Sequence, residues 1–502
     1  MRIRHNDLPG VRPDGGDAMT PAQGGARKPW APPTYGAAKG GTASPMLRMA
    51  FLGFCFYIFA FNSRILDLGV ARLHLPGIAL GLAVVAAVLG GRIAEVLRSQ
   101  ISFFMAGLSI WLAISIPGAF WRGGSFEVLV GSWIPAMLLF LVGASVITTA
   151  AQCRRALFVF GLATITGATL VMLWGSESHG RLLLAGSRYA NSNTIAIMLL
   201  LGMPAVWLLA DGPQVSKVRK ALAGGVLVLM VAEMLRTGSR EGLVGMVALG
   251  AIVFARSRAV GKVAIACLAL VLGLSAVVFL PESVKARLGT FFGTESMQLD
   301  QAEAPSEWTV ANSAAESSQL RLRLLEDSLK VSATHPFLGV GLGNFAPYCA
   351  AMVKESGRRG HPAWVGTHNT YTQLSAEMGI PALIFYLGVL VASMRALQQI
   401  YRRARRIPGN EARDIAHMAL ALHTSFVTFC VVCCFSHMAY EPTMPLMAGI
   451  ALAMSKTAPA ELRRMEEATK IPNTAGDSKP PRAKPNRAGE HVPERSGRGF
   501  GA

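Results

Sequence analysis

One histidine and a handful of arginines stand where proton transfer and anion binding could be done together. His368 sits in 367-THNTY-371, beside Asn369 and Tyr371. Its ordinary pKa suits a base near neutrality. His335 and His361 each precede a proline, and His335 reads as a turn residue. No second histidine or carboxylate stands at a metal-ligand spacing, so neither a metal nor another cofactor is expected. Arg236 and Arg240 lie four apart in 236-RTGSR-240. On a helix both guanidinium groups would point the same way and repel, a cost that an anion between them removes. Guanidinium forks match the oxygens of a diphosphate, and Gly238 lets the backbone come close. Arg236 has a second reading, an ion pair with Glu233 three residues back. Arg240 has only Glu241, which faces elsewhere on a helix, so anion binding is the better reading there.

The same spacing argument separates Arg321 from Arg323. Arg323 has Glu326 and Asp327 at helical offsets and reads as a surface pair, whereas Arg321 meets only serines and leucines and is freer to bind a ligand. Arg188, in 186-GSRYANSN-193, would add positive potential near a lipid diphosphate; alternatively the segment serves Asn191 and Asn193 as helix caps. The run 339-GVGLGNF-345, with Gly341 at its centre, lacks a Walker lysine and a βαβ setting. It reads as a tight turn presenting backbone N–H groups.

The elements that must position these groups are apolar helices. Of 502 residues, 52% are hydrophobic and 15% charged, and the mean hydropathy is +0.41. A cytosolic enzyme of this size needs more charge on its surface. The apolar residues fall into blocks long enough to cross ~30 Å of hydrocarbon. Twelve such blocks are expected: 47–63, 75–91, 101–118, 127–149, 155–174, 193–210, 219–235, 240–256, 260–280, 378–395, 415–436 and 441–455. This is an all-α integral membrane protein in expectation. The chain divides into a disordered basic tail (1–45), helices one to nine (46–280), a long loop (281–377), helices ten to twelve (378–455) and a second basic tail (456–502).

The net charge is +19. With the N-terminus inside, the expected inner loops carry sixteen basic residues and the short outer loops seven, the bias of cytoplasmic loops. Both tails are then cytoplasmic, and the loop 281–377 lies outside. A polar connection that long is usually functional. Within it a helix near 316–333 is expected to bury Leu322, Leu325 and Leu329, and Thr370 with Gln373 has capping-box spacing at the start of a further helix. The basic residues form no single patch, which argues against nucleic acid. The seven cysteines form no disulfide framework, and Cys430-x-x-Cys433 lies in an apolar run where core filler is the plainer reading.

Ser239-Arg240, Arg321, 335-HPFLGVGLGNF-345 and 368-HNTYTQLSAEMG-379, in that order, resemble the O-antigen ligase and polymerase family of bacterial membrane glycosyltransferases. The resemblance covers roughly residues 185–395. It implies an inverting, metal- and ATP-independent transfer of a glycan from undecaprenyl diphosphate to an acceptor, on the outer side of the inner membrane. The acceptor is lipid A-core for a ligase and another lipid-linked repeat for a polymerase of O-antigen or exopolysaccharide. It implies His368 as the base and Arg240 and Arg321 as diphosphate ligands, with Arg188 a looser match. This chain departs from the pattern after Gly379, where Ile380, Pro381 and Ala382 stand in place of further glycine. A transporter of lipid-linked glycans is the rival from another class. It would carry its ionisable residues near mid-membrane, whereas these gather at helix ends.

Overall fold

The computed structural model describes residues 45–70, 73–91, 96–178, 181–212, 215–282, 284–285, 305–356 and 365–470. The N-terminal tail, His361 and residues 471–502 lie outside them. The described elements are α1 (Pro45–Ser63), α2 (Leu75–Leu89), α3 (Gln100–Ser115), α4 (Arg122–Val146, with a π turn at Leu129–Trp133), α5 (Ala150–Trp174), β1 (Ser176–Ser178), β2 (Arg181–Leu183), α6 (Ser192–Ala210), α7 (Lys217–Arg236), α8 (Arg240–Arg256), α9 (Ala259–Phe279), α10 (Pro305–Thr334), α11 (Phe345–Ser356), α12 (Thr370–Ala404), α13 (Asn410–Val432) and α14 (Thr443–Lys470). Every apolar block of the sequence falls on a helix. Among the described residues, seven helices are long and apolar enough to cross a membrane. They are α1, α4, α5, α6, α12, α13 and α3 extended to Gly118. α2 (Leu75–Leu89) and the Ala259–Ser275 part of α9 are apolar but shorter than that measure requires. α14 runs to Lys470, past the expected border at 455, and buries Ala458 and Leu462 where a tail was expected.

Burial sorts the helices. The apolar stretch of α6 is 83% buried and that of α3 only 33%, so α6 is central and α3 peripheral. α12 is the other hub, packing on α3, α10, α13 and α14. Large apolar side chains face outward along several helices: Leu82 and Val85 on α2, Phe103 and Ile110 on α3, Leu270 and Val278 on α9. A water-soluble surface does not leave so many of these exposed together, whereas lipid covers them.

Two segments of the long polar loop are joined to this bundle at α12. Val340 N–H donates to Ala376 O (3.0 Å), and Gly341 N–H to Glu377 O (2.7 Å). Ile380 N–H donates to Pro336 O (2.8 Å), and Trp111 Nε1 to Met378 O (2.9 Å). The close approach occurs at Gly379, whose φ of +79° breaks the helix into two parts. A Cβ there would overlap the Phe337 carbonyl oxygen. Glycine is thus required for both conformation and contact.

α10 buries a different face from the one its leucine spacing suggests. Leu324, Ser328, Val331 and Ser332 are inward, while Leu322 and Leu329 are exposed. A polar contact explains the rotation: the Ser332 and Ser375 hydroxyls meet at 2.7 Å, fixing α10 against α12. Glu326 pairs with Lys330 (2.9 Å) rather than with Arg323.

Gly379→Ala is expected to cost at least about 2 kcal/mol, from left-handed backbone strain plus the clash. Detergent-extracted protein should show a lower melting temperature and reduced yield; wild-type values for both would refute the requirement.

Candidate functional site

The glycine run wraps around one carboxylate. Glu377 is 4% exposed. Its Oε2 accepts from Gly343 N–H (3.1 Å) and its Oε1 from Phe345 N–H (3.2 Å). The Tyr440 hydroxyl donates to the same carboxylate, and Gln373 Nε2 approaches at 3.5 Å. The turn therefore presents N–H groups, as its composition suggests, but to the protein's own side chain. Gly341 has φ of +105°, and a Cβ there would strike Ala119 and Asn344. Its place is structural.

The segment that begins α12 is stapled to the α13–α14 connection. Asn369, not Thr370, is the N-cap: its Oδ1 accepts from Tyr371 N–H (2.9 Å) and Thr372 N–H (3.1 Å). Its Nδ2 donates to Cys434 O (3.0 Å). Thr370 instead spends its hydroxyl across the gap, donating to Ser436 O (2.6 Å) and accepting from Met438 N–H (3.0 Å). The Tyr371 hydroxyl donates to Cys430 O (2.8 Å). These bonds hold His368 in the left-handed region, at φ of +51°, where a non-glycine residue is uncommon. Its ring stands edge-on to that of His437, with centroids 5.1 Å apart.

Around this imidazole pair the structure gathers positive charge. Arg321 and Arg181 both act on His368, and both act on Arg240. Glu241 lies within the same electrostatic reach of Arg321 and Arg181, and takes a hydrogen bond from the Ser436 hydroxyl (2.8 Å). Arg181, Arg240 and Arg321 thus concentrate positive charge here, opposed among the described residues by Glu241 and, at His437, by Glu441. Burial, first, and then His437, Arg321 and Arg181 push the His368 pKa down to about 4. His437 is also lowered, by burial and by Arg321, against the opposing pull of Glu441. Burial and then Arg321 lower Arg181.

The structure sets His368 near Arg321 and Arg240 near Arg321, and it gives Arg236 and Arg188 carboxylate partners of their own, although Arg188 lines the same cavity as His368. Arg236 donates through Nε (2.9 Å) and Nη2 (2.7 Å) to Glu177 on β1. That is neither an open anion site nor a salt bridge to Glu233, which is buried on α7 itself and feels the Arg236 charge without an ion pair being formed. The β1–β2 hairpin supplied a nearer carboxylate, and the spacing on α7 could not reveal it. Arg188 pairs with Glu441 at 2.6 Å. Asn191 caps α6 by accepting from Asn193 N–H (2.9 Å), as its place suggests. Three participants were not singled out in the sequence. Arg181 was visible only as an outer arginine against the charge bias. Glu241 adjoins Arg240, yet both serve this site because Arg240 opens its helix. His437 has no motif of its own.

A cavity of about 140 Å³ borders His368, His437 and Glu241 and extends to Arg64, Arg188 and Asn193. Among the described residues, no group of histidine, cysteine, aspartate and glutamate is placed to hold a metal ion.

Residues 225–387 match the family model described as O-antigen ligase. That stretch contains Arg240, Arg321, the glycine run and His368. No curated protein matches the chain. Among solved structures, a chain from a peptidoglycan synthase complex that coordinates polymerization and crosslinking is similar at 14% identity. The superposition covers 73% of this chain and 97% of that one, with a TM-score of 0.39.

His437→Ala removes a neighbouring ring and admits water beside His368. The His368 pKa should then rise from about 4 toward its ordinary value. The pH dependence of His368 acylation by diethyl pyrocarbonate measures this; an unmoved midpoint would show that His437 does not tune it.

Proposed function

We propose that this chain, which the match over residues 225–387 assigns to the O-antigen ligase family, transfers a glycan from undecaprenyl diphosphate to lipid A-core or a similar acceptor. The reaction takes place on the outer side of the bacterial inner membrane and needs neither metal nor ATP. Twelve crossings with both termini cytoplasmic put residues 281–377 on that side. The observation that carries this reading is one half-buried imidazole, edge-on to His437 and within charge reach of both Arg181 and Arg321, with Arg240 in reach of the same two.

The chemistry follows from that arrangement. The diphosphate of the donor sits among the three guanidinium groups. His368 takes the proton from an acceptor hydroxyl as its oxygen attacks the anomeric carbon from the face opposite the diphosphate. The bond between that carbon and the phosphate oxygen breaks, the diphosphate leaves with the electron pair, and the configuration inverts. A preorganised donor to the leaving charge is worth about 3–4 kcal/mol, and a positioned base about 10²–10⁴-fold. The bond being broken already holds the energy, so no nucleotide is required.

The low His368 pKa has a use in this scheme. Without donor, burial first, and then His437 and the positive charge of Arg321 and Arg181, keep the imidazole neutral above about pH 4. The bound diphosphate offsets that charge, so the imidazole's affinity for a proton rises when the donor is in place. The base strengthens only when there is something to react.

Deleting the gene and separating the surface glycans by gel tests the reading. Loss of capped lipopolysaccharide with accumulation of long lipid-linked polymer is expected. Accumulation of single repeats would make the protein a polymerase, and unchanged glycans would remove both. In the deletion strain, His368→Ala should restore less than about 1% of transfer at wild-type protein levels, and full complementation would dismiss it as the base.

Arg240→Lys and Arg321→Lys keep the charge but lose the planar fork, and each should lower transfer about tenfold or more. Rates equal to the arginine enzyme in a membrane-vesicle assay would argue against bidentate contact.

A further inference from the structure

The cavity beside His368 has two ends of different character. Arg64 and Arg188 at the far end are matched by Asp67 and Glu441. Arg188 pairs with Glu441 at 2.6 Å, its backbone N–H reaches Asp67 Oδ2 at 3.4 Å, and Arg64 has both carboxylates within electrostatic reach. Two positive charges face two negative ones, so this end has no surplus for a diphosphate. It is polar and balanced, as an uncharged polyol requires. Phe61, Tyr189 and Met438 supply apolar surface of the kind on which a sugar ring packs, and Asn193 supplies a carboxamide.

The near end holds a side chain whose bonding is incomplete. Glu241 is 1% exposed and borders the cavity with His368. Its Oε2 accepts from Ser436 (2.8 Å), but Oε1 has no hydrogen-bond partner among the described residues. A buried carboxylate oxygen left unpaired is costly, and such groups are normally satisfied. A sugar hydroxyl entering the cavity would satisfy it with a charge-assisted bond. It would do so next to the imidazole.

We propose that this cavity is the acceptor subsite, and that Glu241 binds a hydroxyl of the acceptor sugar and thereby sets its ring in front of His368. The carboxylates of Glu241 and Glu441 on its wall turn the diphosphate away, toward Arg181, Arg240 and Arg321. Donor and acceptor are thus sorted by charge on two sides of one base. The inference rests on the transferase reading above.

The test uses the full-length protein, with lipid-linked glycan from the deletion strain as donor and rough lipopolysaccharide from the same strain as acceptor. Glu241→Gln should raise the KM for lipopolysaccharide about tenfold, the value of one good hydrogen bond to a charged group, and Asn193→Leu, which removes a neutral hydrogen-bonding group, should raise it about fivefold. The KM for the donor should not rise, and in Glu241→Gln the added positive surplus should lower it. If Glu241→Gln changes the donor KM alone, the carboxylate is only a counter-charge and the subsite is wrong. If both variants keep the wild-type acceptor KM, the sugar binds elsewhere. If the wild-type protein transfers nothing, the transferase reading fails and the subsite falls with it.

Discussion

The carboxylate of Glu377 is the fastening that joins the glycine run, α12 and the α13–α14 connection. Three pieces of chain distant in sequence meet on it: the glycine run through Gly343 and Phe345, the first turns of α12 through the residue itself, and the α13–α14 connection through Tyr440. Each backbone N–H satisfied there would otherwise be a buried donor without a partner. The same three pieces carry or flank the histidines. His368 begins the helix that carries Glu377, and His437 precedes Tyr440 by three residues. A fold that failed to close this contact would not bring the two rings together. The glycines serve the fastening: at Gly339 a side chain would overlap the backbone of Glu377 and Met378.

Electrostatics do the remaining sorting. Arg236 and Arg188 are neutralised by Glu177 and Glu441, and both pairs are well exposed to solvent, so they contribute little to stability. Arg181, Arg240 and Arg321 act on one another, and Glu241 is within the electrostatic reach of Arg181 and Arg321. Like charges held together in a folded protein are a standing cost. The proposed diphosphate would offset that cost.

What the sequence disclosed follows from the range of each interaction. Helices form from local periodicity and composition, so each apolar block could be read one residue at a time, and each lies on a helix. Arg240, Arg321 and His368 stood out because nearby offsets offered them no partner. Partners contributed by other elements were invisible: Glu177 for Arg236, Glu441 for Arg188, and Ser375, which turns α10 so that Leu322 and Leu329 face outward. Glu241 was dismissed by a rule for helix faces. That rule describes neighbours along a helix side and not residues at its first turn, where the chain leaves the helix and both positions can reach the same space.

The break at Gly379 has a mechanical consequence. Because Pro336 and Phe337 lie against it, the stretch that leads into the glycine run is pinned to the bundle along α12. By contrast, α9 packs chiefly on its sequence neighbours α7 and α8, and most of its surface is uncovered by protein. The molecule is thus most closely tied where its two motifs cross and least covered by protein along α9.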